Sequence, residues 1–542
     1  MINELTLQLA WNRLLAIVEE QAQVLLRTAF STVVREAGDL SAGVFNCQGQ
    51  MLAQAVTGTP GHVNSMADAV VKFLNVYPLA SLKPGDVLVT NDPWDGTGHL
   101  NDFTVVTPVF KDDVCVGLFA STSHIADVGG RGFGADANDV FEEGICIPIS
   151  YLFEGGVLNK VLMQLIKANV RDANVAEGDL YSLTACNQAG ADALLQMLDE
   201  FELDDLAYVG EEIIQRSHSA MLDVLATLPH KTTSYEMRVD GYDEPIDLRA
   251  TLTINAKQIG IDFAGTTTAS SKGINVPLPY TQAYASFGVR CVVGNTIPNN
   301  AGSLSVVDVV APQGCILNAQ RPRAVSARHS IGQMLPDVVL GCLQQLLPGE
   351  VPAEGASCIW NPVFMSAVGA ANNDSNRGRH FVINPIFNGG TGARPSKDGL
   401  STTAFPSGVK TTSTEINEAT SQLLVLEKEY TPNSGGVGCY RGGLGQTIRI
   451  RHRWGEDFVV SKMFDRVQHP PRGRDGGGDG ATGAVYLEDK EGKQLPLPAK
   501  GRDLVPCGHD LVLQTPGGGG LGAPTTRNVT LLKLDKDEGY TA

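Results

Sequence analysis

The sequence contains no uncharged apolar run that approaches the roughly 20 residues of a membrane-spanning helix, so no bilayer span is predicted. Its start lacks the basic n-region of a signal peptide, and Glu4, Arg13 and Glu19 interrupt the apolar positions. The ten cysteines form no CxxC pair, which disfavours a zinc ribbon or an iron–sulfur site. We therefore expect a cytoplasmic protein whose thiols are reduced.

Basic residues are also scarce, with 41 Lys and Arg against 59 Asp and Glu and a formal net charge of −18. This balance opposes binding to phosphate backbones and to anionic membrane surfaces, so neither nucleic acid nor membrane is an expected partner. No segment matches GxxxxGK[ST], and none follows the strand–GxGxxG–helix pattern. The sequence thus predicts no nucleotide-binding loop in this chain.

What is present is typical of an ordered globular protein, because 43% of the 542 residues are apolar and only 18% are charged. The length allows two to four domains. We expect the α+β class, a mixed multi-domain chain with antiparallel sheets and long N-terminal helices. The predicted regions are an N-terminal α+β metal-site domain at 1–230, a central mixed region at 231–430, and a glycine-rich β region at 431–542.

Apolar periodicity predicts the individual elements. Helical spacing occurs at 7–34, 158–170, 178–198, 206–228, 280–293 and 330–347. Short alternating runs predict strands on either side of the turn NCQGQ, then at 87–90, 103–110, 114–121, 235–239, 247–254 and 258–262. The N-terminal strands are expected to form an antiparallel sheet against the long helices.

Glycine clusters are concentrated in the last third, at 388–393, 433–445, 472–483 and 515–522. Glycines between strand-like runs mark tight turns and positive-φ positions, so a β-rich region with many reversals is the first interpretation. A second interpretation is that backbone amides line a ligand-binding or subunit groove.

The segment 90–130 carries the most chemical information. His99 and Asp102 precede one predicted strand, and His124 follows the next one. If the two strands form a hairpin whose turn is centred near Asp112, Asp102 lies opposite Thr122 and Leu100 opposite His124. Both imidazoles and the carboxylate then lie at the same end of one hairpin.

Two neutral imidazoles and one carboxylate suit Zn²⁺, Mn²⁺ or Fe²⁺ and leave coordination positions open for water or substrate. The alternative is ordinary hydrogen-bonding histidines at a sheet edge. Asp39 and His62 are further candidates, although an Asp is commonly a turn or cap residue and a loop His is commonly structural. Asp92 is expected to fix the turn before Pro93.

The other histidines have no partner at ligand spacing and are interpreted as structural: His218, His230, His329, His380, His452, His469 and His509. Neither Ser434 nor Ser330 lies in a GxSxG nucleophile elbow, which disfavours a serine hydrolase.

A family resemblance runs along nearly the whole chain. REAGDLS at 35–41, NDPWDGTGHLNDF at 91–103, SHIADVGG at 123–130, IDFAGT at 261–266, RPRAVS at 321–326 and the terminal TPGGGGLG resemble the hydantoinase B family. That family includes the B-type subunits of ATP-dependent hydantoinase and 5-oxoprolinase, one component of caprolactamase, and components of acetone and acetophenone carboxylases. HVNSM at 62–66 and RHS at 328–330 differ from the residues that are usual at these positions in the family.

The resemblance implies a hetero-oligomer with two catalytic functions. A hydantoinase A-type partner with an actin-like ATPase fold uses ATP to phosphorylate the substrate oxygen, and a metal-bound water in the B-type chain attacks the activated carbon. The family's metal ligands correspond to His99, Asp102 and His124, and an acidic residue near the metal corresponds to Asp39. The implied activity is ATP-dependent opening of a small cyclic amide such as a hydantoin, oxoproline or lactam.

Three other functions stay open. The chain is alternatively a subunit of an ATP-dependent ketone carboxylase, although those members tend to be longer. It is alternatively a non-catalytic scaffold that completes the partner's active site. A non-haem iron oxygenase uses a similar set of two histidines and one carboxylate and is disfavoured.

Overall fold

The computed structural model describes residues 3–56, 59–367, 381–403 and 405–541. The N-terminal elements are α1 (Glu4–Thr28), α2 (Thr32–Arg35), β1 (Leu40–Phe45), β2 (Met51–Gln54), α3 (Pro60–Val76), β3 (Val87–Thr90), β4 (Asp102–Lys111), β5 (Val114–His124), β6 (Ser150–Glu154), β7 (Val157–Leu158), α4 (Lys160–Asn169), α5 (Ala173–Glu200) and α6 (Ala207–Thr227). The predicted long helices and N-terminal strands are confirmed.

These strands form one antiparallel sheet of seven strands in the order β2-β1-β5-β4-β3-β6-β7. α1 and α5 pack against each other and cover one face, and α3 covers the other. Because β4 and β5 are central and covered on both faces, nearly every residue of β5 is buried, whatever its side. The polar residues at the strand ends are therefore inside the protein.

The central elements are β8 (Thr232–Val239), β9 (Ile246–Ile254), β10 (Ile259–Asp262), α7 (Leu278–Arg290), α8 (Ala301–Leu304), β11 (Val307–Val310), α9 (His329–Gly332) and α10 (Leu335–Gln344). They form a sheet in the order β11-β10-β9-β8, and α10 packs on β8 and β9. The segment between β11 and α9 returns to the N-terminal sheet, which brings residues 325–329 to the hairpin.

The remaining elements are β12 (Val363–Ser366), β13 (Val382–Ile383), α11 (Thr414–Thr420), β14 (Leu423–Tyr430), β15 (Gln446–His452), β16 (Phe458–Met463), β17 (Ala484–Glu488), β18 (Gln494–Pro496), β19 (Lys500–Val505), β20 (Asp510–Gln514) and α12 (Val529–Asp537). They build sheets in the orders β13-β12-β16-β19 and β14-β15-β20-β17-β18. The expected boundary at 430/431 falls between β14 and β15, which pair along their length. The α+β class is confirmed, and no helix in the described ranges is long and apolar enough to cross a bilayer.

The glycine-rich region is β-rich, as predicted, but most of its glycines are not at the positive-φ positions expected of tight turns. Within the glycine clusters, only Gly476 and Gly522 among the described glycines have a positive φ. The others lie in extended segments that hydrogen-bond side by side, as where the Gly518 amide donates to the Gly443 carbonyl at 2.9 Å. A Cβ on Gly518 would lie 1.9 Å from the Thr391 carbonyl oxygen. Glycine is required there because backbones approach too closely for any side chain.

Candidate metal centre

The hairpin of β4 and β5 sets Asp102 directly opposite His124. The predicted pairing of Asp102 with Thr122 is wrong by two residues, for two local reasons. The turn is the pair Asp112–Asp113, both in the left-handed region at φ 49° and 63°, so its centre lies half a residue later than expected. A bulge at Val109–Phe110 adds one more residue to β5. The corrected register brings the carboxylate and the imidazole closer together.

His99 comes from the loop between β3 and β4, which is fixed by its own hydrogen bonds. Oδ1 of Asp92 accepts the Trp94 amide at 3.0 Å, and its carbonyl accepts the Gly96 amide at 2.7 Å. Asp92 therefore fixes the turn, as the sequence predicted. The Asn91 side chain donates to the Leu100 carbonyl at 2.8 Å and holds the end of the loop against the hairpin.

Three side chains converge at the end of the hairpin. Oδ1 of Asp102 lies 2.7 Å from Nε2 of His99 and 3.3 Å from Nδ1 of His124. One ligand atom from each residue lies within 4.8 Å of the other two, and all three residues are buried. The predicted cluster of His99, Asp102 and His124 is thus present as a geometric unit.

Hydrogen bonding determines the tautomer of His99. Its Nδ1 lies 2.9 Å from the Ser326 carbonyl oxygen, which can only accept, so Nδ1 carries the proton. Burial and the neighbouring Arg328 guanidinium lower the pKa of His99 to about 4, and the ring is neutral at physiological pH. The Nε2 lone pair therefore faces the Asp102 carboxylate, an arrangement that a cation between them would stabilise.

The second oxygen of Asp102 is fully occupied. Oδ2 accepts hydrogen bonds from Thr97 at 2.8 Å, from Arg328 at 2.5 Å and from Nε2 of His62 at 2.8 Å. Burial alone would raise the pKa of Asp102, but His62, His99 and Arg328 outweigh it and hold the pKa well below its usual value. Asp102 is therefore an oriented carboxylate that is ionised in the folded protein.

An internal cavity of about 30 Å³ adjoins this cluster. Four imidazoles reach it, those of His62, His99, His124 and His329. Sequence spacing assigned His329 a purely structural role, whereas the structure places its ring at this cavity. Nδ1 of His62, Nε2 of His124 and Nε2 of His329 are all buried without a hydrogen-bond partner. Buried polar atoms without partners are costly, so their concentration here indicates a site that takes a polar or charged ligand.

Asp39 and His62, the two further candidates, both line the cavity. Oδ1 of Asp39 accepts a hydrogen bond from the Thr59 hydroxyl at 2.9 Å and lies 3.7 Å from Nδ1 of His62. Burial lowers the pKa of His62, but the carboxylates of Asp102 and Asp39 more than offset this and raise it overall. A second carboxylate, that of Asp39, thus lines the same cavity as the three-residue cluster.

Sequence reasoning did not identify Arg328 as part of the site. Its Nε donates to the Thr97 carbonyl at 2.8 Å, and its guanidinium carbon lies 4.0 Å from the centroid of the Tyr280 ring. Arg328 is buried and pairs with Oδ2 of Asp102, whereas His99 and His124 lie against Oδ1. Its position more than 200 residues along the chain leaves no local spacing that could predict the contact.

Several of the remaining histidines have other partners. His218 bonds to the Ser305 hydroxyl at 2.8 Å, His469 to Asp240 at 2.9 Å and His452 to the Gln422 side chain at 3.1 Å. His380 lies outside the described residues. None of these three described side chains lines the cavity.

The donor set fits a divalent cation. Two imidazoles and a carboxylate are the ligands that Zn²⁺, Mn²⁺ and Fe²⁺ share, and three protein ligands leave positions open. The carbonyl of Ser326 on the far nitrogen of His99 is the outer contact that usually orients a metal-bound imidazole. The unpartnered Nε2 of His329 is one further donor atom at the cavity.

The sequence and the fold match a known family. The sequence profile of the hydantoinase B/oxoprolinase family matches residues 3–524, and the chain belongs to that family. An uncharacterized protein of Methanocaldococcus jannaschii is 30% identical, with 96% of this chain and 91% of that protein covered. 5-Oxoprolinase 1 of Arabidopsis thaliana is also 30% identical, but 94% of this chain covers only 41% of that longer protein.

A protein of Pseudomonas sp., provisionally named as the B-type subunit of a D-/L-hydantoinase, is 26% identical, with 99% of this chain and 93% of that protein covered. Among solved structures, ATP-dependent caprolactamase from Pseudomonas jessenii has a TM-score of 0.91 at 21% identity and covers 100% of this chain and 95% of its own. Acetone carboxylase has a TM-score of 0.87 at 18% identity, covering 99% of this chain and 78% of its own. At these identities the two structures establish a shared fold.

Proposed function

We propose that this chain is the metal-bearing subunit of an ATP-dependent hydrolase that opens small cyclic amides, and that it acts with an A-type ATPase subunit. The observation that carries the proposal is the buried cluster of His99, Asp102 and His124 beside a cavity that holds unpartnered imidazole nitrogens. Family membership supports the reaction class. The expected substrates are hydantoins, oxoproline and lactams.

A divalent ion held by these three residues would lower the pKa of a bound water and polarise a substrate oxygen. The protein's own residues prepare the site for that ion. Ser326 fixes the His99 tautomer, Arg328 orients Asp102, and burial keeps His99 neutral and therefore able to coordinate. Asp39, which also lines the cavity, would orient a water or accept its proton.

The need for ATP follows from amide chemistry. An unstrained amide is stabilised by resonance and its nitrogen is a poor leaving group, so conversion of the carbonyl oxygen to a phosphate ester makes the carbon far more electrophilic. The sequence has no GxxxxGK[ST] phosphate-binding motif, which favours a separate ATPase subunit. The Pseudomonas relative is named as one component of a hydantoinase and the oxoprolinases are longer chains, and both facts support that arrangement.

A ketone carboxylase component is the second candidate, favoured by the TM-score of 0.87 with acetone carboxylase. The caprolactamase chain is covered at 95% and the carboxylase chain at 78%, which favours the amide hydrolase. The two candidates differ in co-substrate. ATP cleavage that depends on bicarbonate and a ketone would select the carboxylase, whereas ring opening in bicarbonate-free buffer would select the hydrolase.

The first experiment is elemental analysis of the purified chain, compared with His124→Ala and with His218→Ala as the matched control. His218 bonds to Ser305 and does not line the cavity, so its loss is expected to leave metal content unchanged. We expect near-stoichiometric zinc, manganese or iron in the wild type and in His218→Ala, and less than about a tenth of it in His124→Ala, since one of three ligands is lost. If neither wild type nor control contains metal after supplementation and co-expression with the A-type partner, the scaffold alternative replaces this proposal.

A further inference from the structure

Glu143 is a buried carboxylate that the proposed chemistry does not use. It follows the short 3-10 helix Val140–Glu142 and is 3% exposed. Its Oε1 accepts the backbone amides of Val325 and Ser326, each at 2.7 Å. Its Oε2 is buried without a hydrogen-bond partner. A buried carboxyl group with one oxygen left without a partner costs free energy, so its presence calls for a specific role.

The two amides that Glu143 holds belong to the segment that orients His99. The Ser326 carbonyl belongs to the next peptide group along the chain. Its oxygen lies 2.9 Å from Nδ1 of His99. The same segment is tied on its other side, because the Ala327 amide donates to the Gly273 carbonyl at 2.7 Å. The Ser326 carbonyl is therefore held from two sides, by the Ala327 amide of its own planar peptide group and by the preceding amides that Glu143 accepts.

We propose that Glu143 is a positioning residue for the metal ligand His99. By holding the 325–326 amides, it fixes the Ser326 carbonyl, which keeps the proton of His99 on Nδ1 and presents the Nε2 lone pair to a cation. The inference rests on the proposed metal site and adds the residue that sets the ligand's tautomer and direction. Outer contacts of this kind typically change metal affinity by about 10–100-fold.

Three substitutions test this role. Glu143→Gln retains an oxygen that accepts both amides, and we expect wild-type affinity. Glu143→Leu keeps much of the volume but accepts nothing, and we expect Co²⁺ to bind about 10–100-fold more weakly. Glu143→Asp withdraws the carboxylate by one methylene, and we expect an intermediate loss. The measurements are the dissociation constant for Co²⁺ in competition with a chromogenic chelator and the visible absorption spectrum of the Co²⁺-loaded full-length protein.

Asp86→Leu is the matched control for general destabilisation. Asp86 is 2% exposed and its carboxylate accepts two backbone amides, from Lys83 at 2.8 Å and Gly155 at 2.7 Å, away from the cavity. The Asp86→Leu substitution should lower the melting temperature about as much as Glu143→Leu does. The Co²⁺ affinity and the absorption spectrum should stay unchanged. Circular dichroism verifies that each variant is folded, and Glu143→Asp replaces Glu143→Leu if the latter does not fold.

The Co²⁺ affinities distinguish a failure of the Glu143 role from a failure of the proposed metal site. If the wild type binds Co²⁺ and His124→Ala does not, but Glu143→Leu and Glu143→Asp bind like the wild type, the metal site stands and the role of Glu143 is refuted. An equal loss in Glu143→Gln would also refute it, because charge rather than the amide contacts would then be responsible. If the wild type binds no Co²⁺, the proposed function and this inference both fail.

Discussion

Nε2 of His99 and Oδ1 of Asp102 lie 2.7 Å apart, although the proton of His99 is on its other nitrogen. Two acceptor atoms at that distance repel each other unless a cation or a shared proton lies between them. The low pKa of His99, about 4, disfavours the shared proton near neutral pH. This pair of atoms therefore supports the proposal that a cation binds between the two side chains.

Asp102 has two roles that a pair of substitutions can separate. Asp102→Asn removes a proposed metal ligand and also leaves the buried Arg328 without its carboxylate, so we expect a loss of metal and of about 3–5 kcal/mol in stability. In the double variant Asp102→Asn/Arg328→Met the buried charge is gone, and most of the stability should return without the metal. Urea unfolding and elemental analysis check the two effects. Metal retained in either variant would show that Asp102 is not a ligand.

Asp39 is predicted to act on the reaction and not on metal binding, since it lies outside the three-residue cluster. Asp39→Asn should keep wild-type metal content and lower ring opening about 10²–10⁴-fold, the usual range for a general acid or base. The assay uses a hydantoin or lactam, ATP and the A-type partner. Asp68→Asn, an exposed carboxylate on α3, is the control. Full activity of Asp39→Asn with metal bound would exclude the role.

Much of the site could be predicted from sequence because its ligands are close in the chain. Strand pairing sets Asp102 opposite His124, and His99 lies only three residues before Asp102 in the loop that leads into the hairpin. The register was misplaced, because neither the positive φ values at Asp112 and Asp113 nor the bulge leaves a clear sequence pattern.

The rest of the site is assembled by tertiary contacts. Arg328, His329 and Ser326 come from a loop more than 200 residues after the hairpin, and no period or motif relates them to it. In the fold, too, features with a local sequence pattern were predicted and features set by tertiary packing were not. Amphipathic spacing correctly predicted α1 and α5. The β-rich C-terminal region was also predicted, but most of the expected positive-φ glycines were wrong, because close backbone packing and tight turns both require glycine.

Glu143 should give the metal-free protein a distinct pH dependence. Burial raises the pKa of Glu143 to about 8 from its ordinary value near 4.5, so between these values the folded state binds more protons than the unfolded state. Its contribution to stability is therefore greatest at low pH and declines as pH rises towards 8, by up to about 1.4 kcal/mol per pH unit.

Glu143→Gln has no proton to lose and should lack this decline. In chelator-treated protein, urea unfolding at about pH 5.5 and about pH 8 should show the variant gaining stability relative to wild type at the higher pH. Asp86→Asn, which replaces another buried carboxyl group that accepts two backbone amides, is the control for specificity. Parallel stability curves for Glu143→Gln and wild type would contradict the prediction.

The close packing of glycine segments gives a prediction about folding. A methyl group at Gly518 would lie 1.9 Å from the Thr391 carbonyl oxygen and 2.3 Å from its carbon, so neighbouring backbone would have to separate. We expect Gly518→Ala to cost more than about 3 kcal/mol, at the upper end of the range for overpacking, or to prevent soluble expression. Gly260→Ala is the control, because nothing lies within 4 Å of its added Cβ and its φ is not positive. Thermal unfolding of both variants decides the question, and equal melting temperatures would show that these segments can separate at little cost.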